Sequence, residues 1–163
     1  MRLQRNPLLV RHFDMLKLVY SMAQLDTEKL LDVYKEQDWN EVAILSYLRE
    51  DFFRQDGAFY AIWVEEDAYK AAVRFCPYKD GLLLHSLETV PTERRKGYAY
   101  ALISQTLSHL RTIGHNVVYS HIEKRNISSI ALHKKCGFEM LSDSATYLDG
   151  TVTRYSSTFH ICL

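Results

Sequence analysis

Three consecutive cations stand at the start of a stretch that has the periodicity of a helix. Arg94, Arg95 and Lys96 precede Gly97, and an apolar stripe follows at Ala99, Leu102, Ile103, Leu107 and Leu110. The first turn of a helix has unpartnered N–H groups and partial positive charge, so cations there are unfavourable unless an anion binds. Gly97 has no Cβ and would let such a ligand approach the main chain. These residue types favour a phosphate or pyrophosphate site, although a solvated basic turn would have the same composition.

The elements around this turn decide what it could contact. Residues 82–90 form an apolar run that is typical of a buried strand, and Pro91 ends it because proline cannot donate to a β-ladder. The helix ends near Ile113-Gly114, and residues 116–121 form the next strand. A strand–helix–strand unit predicts two parallel strands joined by a right-handed crossover. Because ligands bind beyond the carboxyl ends of parallel strands, we expect the site near residues 88–90 and 120–121.

Two motifs together resemble those of the GNAT superfamily of N-acetyltransferases. Arg94, Gly97 and Ala99 form an Arg-x-x-Gly-x-Ala pattern that is similar to the family's acetyl-CoA pyrophosphate loop. Residues 126–138 resemble its Asn-x-x-(Ala/Ser)…Tyr…Gly-Phe segment. The motifs stand in the family's order, separated by one helix and one strand. The resemblance extends from about Phe59 to the C-terminus, and covers the first fifty residues only by the order of elements.

The resemblance implies an α/β (α+β) fold with a mixed, mostly antiparallel central sheet. It has about six to seven strands, a parallel splayed pair in the middle and flanking helices. The remaining chain fits with strands at 16–22, 59–64 and 69–75, helices near 26–37, 40–54 and 127–136, and a tail hairpin at Asp149-Gly150. We expect the helix near 40–54 to bury Val42, Leu45, Leu48 and either Phe52 or Phe53. The length predicts one domain, 1–163, with residues 1–15 as an N-terminal extension that is either a short helix or extended.

Composition narrows the class of protein. The formal net charge is zero, from 20 basic and 20 acidic side chains, which argues against a general nucleic-acid or membrane-surface binder. Three widely spaced cysteines without ligand-spaced histidines predict no metal site and reduced thiols in a cytoplasmic protein. We expect no membrane-spanning segment and no signal peptide. A homodimer through the tail strands is compatible with the sequence, but no pattern calls for one.

The resemblance implies acetyl-CoA as co-substrate, without a metal, and an amine-bearing acceptor. The main chain of Leu87, Thr89 and Val90 would bond the pantetheine arm. The resemblance places the pyrophosphate on one continuous loop and helix start, made of Arg94, Arg95, Lys96, Gly97, Tyr98, Ala99 and Tyr100. Asn126 and Ser129 carry over as further cofactor contacts.

Acetyl transfer to an amine calls for a base, because an amine with a pKa near ~10.4 is almost wholly protonated at neutral pH. Glu88 is the candidate base, since it is a carboxylate at the end of a buried strand and burial would raise its pKa. The alternatives are a solvated strand-end charge and a partner for Arg94 or Lys96. Trp39 is either an acceptor contact or an aromatic residue of the core or of a hinge.

His133 occupies the position where the family usually has a tyrosine that protonates the departing thiolate. It stands seven residues after Asn126, which predicts the same helix face, and an imidazole can donate a proton. The alternative is an exposed polar helix residue, with Tyr119, Tyr98 or a water as the acid. We interpret Cys136 as a buried small apolar residue rather than a nucleophile.

The leading hypothesis is an acetyl-CoA-dependent N-acetyltransferase that acts by direct transfer. A second hypothesis, an acyl-CoA-binding module without catalysis, stays open because His133 departs from the family pattern. A phosphate- or nucleotide-binding protein is disfavoured, because the chain has neither Gly-x-x-x-x-Gly-Lys-Ser/Thr nor a complete Gly-x-Gly-x-x-Gly. The acceptor is not identified by any motif.

Overall fold

A central sheet with helices on both faces organises the protein, in a computed structural model that describes residues 15–37 and 39–163. The strands are β1 (Leu16–Val19), β2 (Phe59–Glu65), β3 (Ala68–Tyr78), β4 (Gly81–Thr89), β5 (Val117–Glu123), β6 (Glu139–Ser142), β7 (Ala145–Thr146), β8 (Val152–Thr153) and β9 (Ser156–Cys162). The helices are α1 (Thr27–Val33), α2 (Glu41–Tyr47), α3 (Tyr98–Thr112) and α4 (Ile127–Lys135). A π-helical turn, Leu48–Phe52, continues α2.

The seven-stranded sheet has the order β1-β2-β3-β4-β5-β9-β6. All neighbouring pairs are antiparallel except β4 and β5, which are parallel as the crossover rule predicts. The chain returns through β9 between β5 and β6, while β7 and β8 form a separate hairpin around Asp149-Gly150. The predicted fold class and the tail hairpin are therefore confirmed.

The parallel pair separates towards its carboxyl ends. The β4–β5 ladder runs from Leu82 opposite Val118 to Leu84 opposite Ser120, and β4 then continues to Thr89 without a partner on β5. Just beyond this point Ser86 adopts a φ of 55°, and the β3–β4 register shifts. The Tyr34 hydroxyl donates to the Ser86 carbonyl at 2.6 Å, and the Arg74 guanidinium donates to the Ser86 hydroxyl. These contacts stabilise a bulge that redirects the end of β4.

Each face of the sheet has its own apolar core. Helices α1 and α2 cover one face, where Leu30, Val33 and Phe52 pack against β2 and β3. Helix α3 covers the other face with the predicted stripe of buried residues, namely Leu102, Ile103, Leu107 and Leu110. Burying each of these side chains stabilises the fold by roughly 1.5–3 kcal/mol, so the helix that begins at the basic turn is firmly held.

The elements before β2 differ from the sequence prediction in their bounds. Strand β1 ends at Val19 and α1 at Val33, so both are shorter than expected. Asn40 caps α2 by accepting from the Ala43 N–H at 3.1 Å, which places Val42 in the first turn, where it is 78% exposed. The predicted burial of Val42 is wrong, and Ile44 packs against the core instead. The alternatives for the N-terminal extension lie almost wholly outside the described residues.

None of the helices in the described ranges is both long enough and apolar enough to cross a membrane.

Candidate active site

A cavity of about 380 Å³ opens beside the unpaired end of β4. It is bounded by that strand, the start of α3 and the start of α4, and its walls are formed by Leu87, Glu88, Thr89, Arg94, Ala99, Asn126, Ser128, Ser129 and Leu132. The structure thus brings together candidates from β4, the basic turn and the Asn126 segment. Ser128 and Leu132 also belong to the walls, although no motif assigns them a role.

The amino end of α3 is free of any side-chain cap. Gly97 stands at the N-cap position with a φ of 84°, and no side chain bonds the N–H groups of the first turn. The first main-chain bond of the helix runs from the Ala101 N–H to the Gly97 carbonyl, at 3.0 Å. A Cβ built on Gly97 would meet no atom within 4 Å, so the space over this turn is open. Uncapped amides with open space above them are suited to bind an anion.

Carboxylates of the same chain already pair with part of the basic turn. The Arg94 guanidinium lies 2.7 Å from a Glu36 oxygen and 3.5 Å from a Glu88 oxygen. Lys96 pairs with Glu93. The side-chain charge of the turn is therefore partly neutralised, and the capacity to bind an anion rests mainly on the main-chain amides of α3.

Glu88 is a half-buried carboxylate at the rim of this cavity, with a side chain 23% exposed. Burial raises its pKa, while Arg94 and a hydrogen bond from Gln37 act in the opposite direction. That bond runs from Gln37 Nε2 to Glu88 Oε1 at 2.7 Å. Glu88 is thus a partner of Arg94, as one alternative expects, and it also has the exposure and the raised pKa that suit a base.

His133 does not face the cavity, which corrects both expectations for this residue. The side chain is 2% exposed, beneath α4. Its Nε2 lies 3.0 Å from the Ser120 hydroxyl, and its Nδ1 lies 2.8 Å from the Ser129 carbonyl oxygen. Asn126 is the N-cap of α4 rather than a helical residue, and its side chain accepts from the Ser129 N–H. The seven-residue spacing therefore does not place Asn126 and His133 on one face.

Several other candidates lie outside the walls of the cavity. The Val90 N–H already donates to the Lys70 carbonyl at 2.9 Å, so that amide is not free for a ligand as the resemblance implies. Tyr100 is covered by the Lys135 amine, 4.4 Å from its ring centroid. The remaining residues of the basic turn and helix start also lie outside the walls of the cavity, namely Arg95, Lys96, Gly97 and Tyr98. These four residues lie beside the cavity, at the amino end of α3.

The alternative acids and aromatic candidates are placed as follows. Tyr119 donates its hydroxyl to Asp80 at 2.5 Å, which raises its pKa to about 12 and leaves it away from the cavity. Trp39 stacks on Tyr34 with ring centroids 4.4 Å apart and packs against the core. Cys136 is half-buried, and burial raises the pKa of its thiol. Within residues 15–37 and 39–163, no cluster of three His, Cys, Asp or Glu side chains could hold a metal ion.

A second cavity of about 530 Å³ lies between the end of α2, the sheet and the β7–β8 hairpin. Its walls come from the end of α2, from β3, β4 and β5, and from the β7–β8 hairpin, and include Tyr47, Cys76, His85, His121 and Tyr147. The Nε2 atoms of both histidines are buried without a partner in the described part of the chain. Burial, together with Arg74 and His121, lowers the pKa of His85 to about 3.

Burial also lowers the pKa of His121. Both imidazoles are therefore neutral hydrogen-bonding groups at pH 7. The sequence feature that bears on these histidines is the two-residue alternation of β4 and β5. It puts Leu83 and His85 on one face of β4, and His121 and Glu123 on the same face of β5. That alternation identifies a face but not a cavity, so these histidines carry no distinctive signal.

The sequence is similar to those of known acetyltransferases. Residues 19–138 match the model of the acetyltransferase (GNAT) family. The L-methionine sulfoximine/L-methionine sulfone acetyltransferase of Pseudomonas aeruginosa is 27% identical over 130 residues, which cover 71% of this chain and 76% of that protein.

Solved structures of similar shape are also acetyltransferases. The ribosomal-protein-S18-alanine N-acetyltransferase of Escherichia coli superposes with a TM-score of 0.66 at 16% identity, covering 91% of this chain and 94% of that one. A Bacillus subtilis acetyltransferase in complex with CoA superposes with a TM-score of 0.67 at 13% identity, covering 91% and 98%. At these identities the likeness shows the fold.

Proposed function

Because the chain belongs to the acetyltransferase (GNAT) family, we propose that it transfers the acetyl group of acetyl-CoA directly to an amine. One observation carries the proposal: the uncapped amino end of α3 opens onto a cavity at the unpaired end of β4, and a half-buried carboxylate lies in that same cavity. An anion site, a strand with free main-chain groups and a base are the parts that acyl transfer to an amine requires.

The residues present fit acetyl-CoA. The amides of the first turn of α3 and the Arg94 side chain would hold the pyrophosphate, over the open space at Gly97. The main chain of Leu87 and Thr89, which has no partner on β5, would bond the pantetheine arm. Asn126 and Ser129 complete the wall on the other side. The complex of CoA with the similarly folded Bacillus subtilis protein supports this choice of ligand.

Acetyl-CoA would supply the activated thioester, and the chain supplies proton transfer and orientation. Glu88 takes the proton that the attacking amine must lose, directly or through a water. Main-chain N–H groups at the separated end of β4 stabilise the oxyanion. No tyrosine stands in the walls of this cavity within the described ranges, so we assign protonation of the thiolate to water. His133 joins α4 to β5 through Ser120, which stabilises the fold around the cavity.

Two glycines at opposite ends of α3 provide a matched test of the anion site. Gly97 and Gly114 both have a positive φ, 84° and 95°, and a Cβ at either would meet no atom within 4 Å. Gly97→Glu and Gly114→Glu therefore impose similar backbone strain, but only Gly97→Glu places a carboxylate at the proposed pyrophosphate site. Acetyl-CoA at a hundred times its Kd stabilises a protein by about 2.7 kcal/mol, which is a rise in Tm of roughly 5–10 °C for this size.

We expect wild type and Gly114→Glu to show that rise in Tm, and Gly97→Glu to lose most of it. Equal stabilisation of all three proteins would remove the anion site and the proposal with it. Turnover is then measured by mass spectrometry of the acetylated product, because the exposed Cys162 would itself react with thiol reagents. The amine panel includes L-methionine sulfone, named for the Pseudomonas relative, together with other amino acids, their carboxamides, simple alkylamines and peptides with a free N-terminus.

The second hypothesis, a module that binds acyl-CoA without catalysis, predicts a different pair of results. Acetyl-CoA would raise the Tm and Gly97→Glu would abolish that rise, but no amine in the panel would be acetylated faster than in buffer. Acetylated product that depends on the protein and on acetyl-CoA would exclude it.

A further inference from the structure

Arg74 is a buried cation that lacks a carboxylate partner within the described residues. Its side chain belongs to β3, is 6% exposed and lies within 4 Å of no described carboxylate. Nη2 donates to the Ser86 hydroxyl, whereas Nε and Nη1 have no hydrogen-bond partner in the described part of the chain. A buried charge with unmade hydrogen bonds is costly, so a compensating group is expected at this position.

Aromatic rings account for only part of that compensation. The guanidinium carbon lies 5.2 Å from the ring centroid of Tyr47, 5.6 Å from that of Phe52 and 6.0 Å from that of Tyr60. Such contacts stabilise a cation by roughly 0.5–2 kcal/mol and favour a fixed guanidinium plane. They do not accept the in-plane hydrogen bonds of Nε and Nη1, which stay unmade within the described part of the chain.

The sheet register places Arg74 between the proposed base and the second cavity. Ala72 is opposite Glu88 and Arg74 is opposite His85, and Cys76 on the same face of β3 belongs to the walls of the second cavity. Diagonal neighbours across antiparallel strands are roughly 7–8 Å apart, so the long side chain of Arg74 and the carboxylate of Glu88 can both reach one small molecule. Tyr47, which covers the guanidinium, also belongs to the walls of that cavity.

The groups that face this position have complementary charges for one class of acceptor. Glu88 is a carboxylate in the walls of the first cavity, Arg74 is a buried cation, and His85 and His121 are hydrogen-bonding imidazoles in the walls of the second cavity. A guanidinium matches the planar geometry of a carboxylate, which can accept two parallel N–H bonds. A molecule with an amine next to a carboxylate would therefore place its amine at Glu88 and its carboxylate at Arg74.

We infer that Arg74 binds the carboxylate of the acceptor, and that the acceptor is a free amino acid. This inference rests on the proposed function, since it names the substrate class of the same site. The amine of the amino acid loses its proton to Glu88 and attacks the acetyl carbonyl. The new amide bond replaces the acetyl–sulfur bond, and the thiolate of CoA leaves and takes a proton from water, while the carboxylate stays on Nε and Nη1 of Arg74 and takes no part in the chemistry.

The test compares each amino acid of the panel with its own carboxamide, which retains the amine but has no charge at the carboxyl end. Wild type should use the best amino acid with a kcat/KM at least about 30-fold above that of its carboxamide, since losing one partner of a buried charge pair typically costs about 30- to 5,000-fold. Arg74→Met keeps the packing against the three rings and removes the charge. It should lower kcat/KM for the acid by a similar factor, mainly through KM, and change that of the carboxamide less than about threefold.

Arg111→Met, at the exposed end of α3, is the matched control and should leave both substrates unchanged. A readout without turnover accompanies these rates: in the presence of CoA, the amino acid should raise the Tm of wild type further, and should not do so for Arg74→Met. The CoA-dependent rise itself should persist in Arg74→Met, which shows that the variant is folded.

The outcomes separate the two proposals. Equal use of acid and carboxamide by wild type, or a peptide or alkylamine as the best acceptor, overturns the role of Arg74 and leaves acetyl transfer intact. Equal losses for both substrates in a folded Arg74→Met protein also overturn it, because Arg74 would then act on structure alone. If wild type acetylates no amine, the proposed function falls, and the additional rise in Tm with the amino acid still decides whether Arg74 is a carboxylate site.

Discussion

The sharpest prediction concerns Glu88, the proposed proton acceptor. Glu88→Gln preserves the volume of the side chain and an oxygen that can accept the Gln37 bond of 2.7 Å, but the amide cannot take a proton. If Glu88 is the base, kcat should fall by about 10²–10⁴, which is about 2.7–5.4 kcal/mol at 1.36 kcal/mol per factor of ten. Affinity for acetyl-CoA, measured by the rise in Tm, should not change.

The pH dependence of kcat adds a second readout. Burial raises the pKa of Glu88, and the base must be ionised, so wild-type kcat should increase with pH through that pKa and then level off. The increase should disappear in Glu88→Gln. The Arg94 guanidinium, 3.5 Å away, lowers the pKa of Glu88 and so favours its ionised form. Arg94→Gln should therefore move the increase in kcat to higher pH.

Glu36 provides the control, because it is the other carboxylate paired with Arg94, at 2.7 Å. Its side chain is 55% exposed and does not belong to the walls of the cavity, so Glu36→Gln should change kcat by less than about threefold, as expected for an exposed ion pair. The reasoning fails if Glu88→Gln stays within a factor of about ten of wild type and retains the same pH profile. It also fails if Glu36→Gln is as inactive as Glu88→Gln.

Two further variants test the framework around the site. His133→Phe removes the bonds to the Ser120 hydroxyl and the Ser129 carbonyl. It should cost about 1–3 kcal/mol of unfolding free energy, with kcat within about threefold of wild type. A loss of kcat at unchanged Tm would instead restore the acid role. Gly81→Ala would place a Cβ 2.2 Å from the Val117 carbonyl oxygen, whereas the position of Gly114→Ala is open. In urea unfolding, Gly81→Ala should cost about 3 kcal/mol or more and Gly114→Ala about 1–2 kcal/mol. Similar losses for the two alanine variants would contradict the close approach of β4 and β5.

The sequence predicts well those parts of the fold that follow from local rules, such as the spacing of apolar residues along one helix or the handedness of one crossover. The stripe of Leu102, Ile103, Leu107 and Leu110 follows directly from the geometry of a helix on an apolar surface. The parallel β4–β5 pair follows from the handedness of a crossover and needs no side-chain information. The uncapped turn at Gly97 was predictable for the same reason, since helix ends have local sequence rules.

The errors concern residues whose role depends on where an element begins. Counting seven residues from Asn126 assumes that Asn126 is helical, but it caps α4 with a ψ of 72°, so the spacing does not relate its side chain to that of His133, which is buried. Val42 is exposed for a related reason, because Asn40 caps α2 and fixes the rotation of its first turn.

The acceptor side of the site was not predictable for a different physical reason. Cofactor binding by main-chain amides requires glycine and a helix start, which leave a recognisable pattern around Gly97. Acceptor binding by side chains requires only that strands meet in one register, and Arg74 opposite His85 is a product of the bulge near Ser86. Without that shift in register the partner of Arg74 on β4 would change, and the bond from its guanidinium to the Ser86 hydroxyl would be lost. The bulge lies just beyond the last β4–β5 pair and also sets which residue of β4 Arg74 faces, so in the proposed reaction it would affect both the thioester side and the acceptor side.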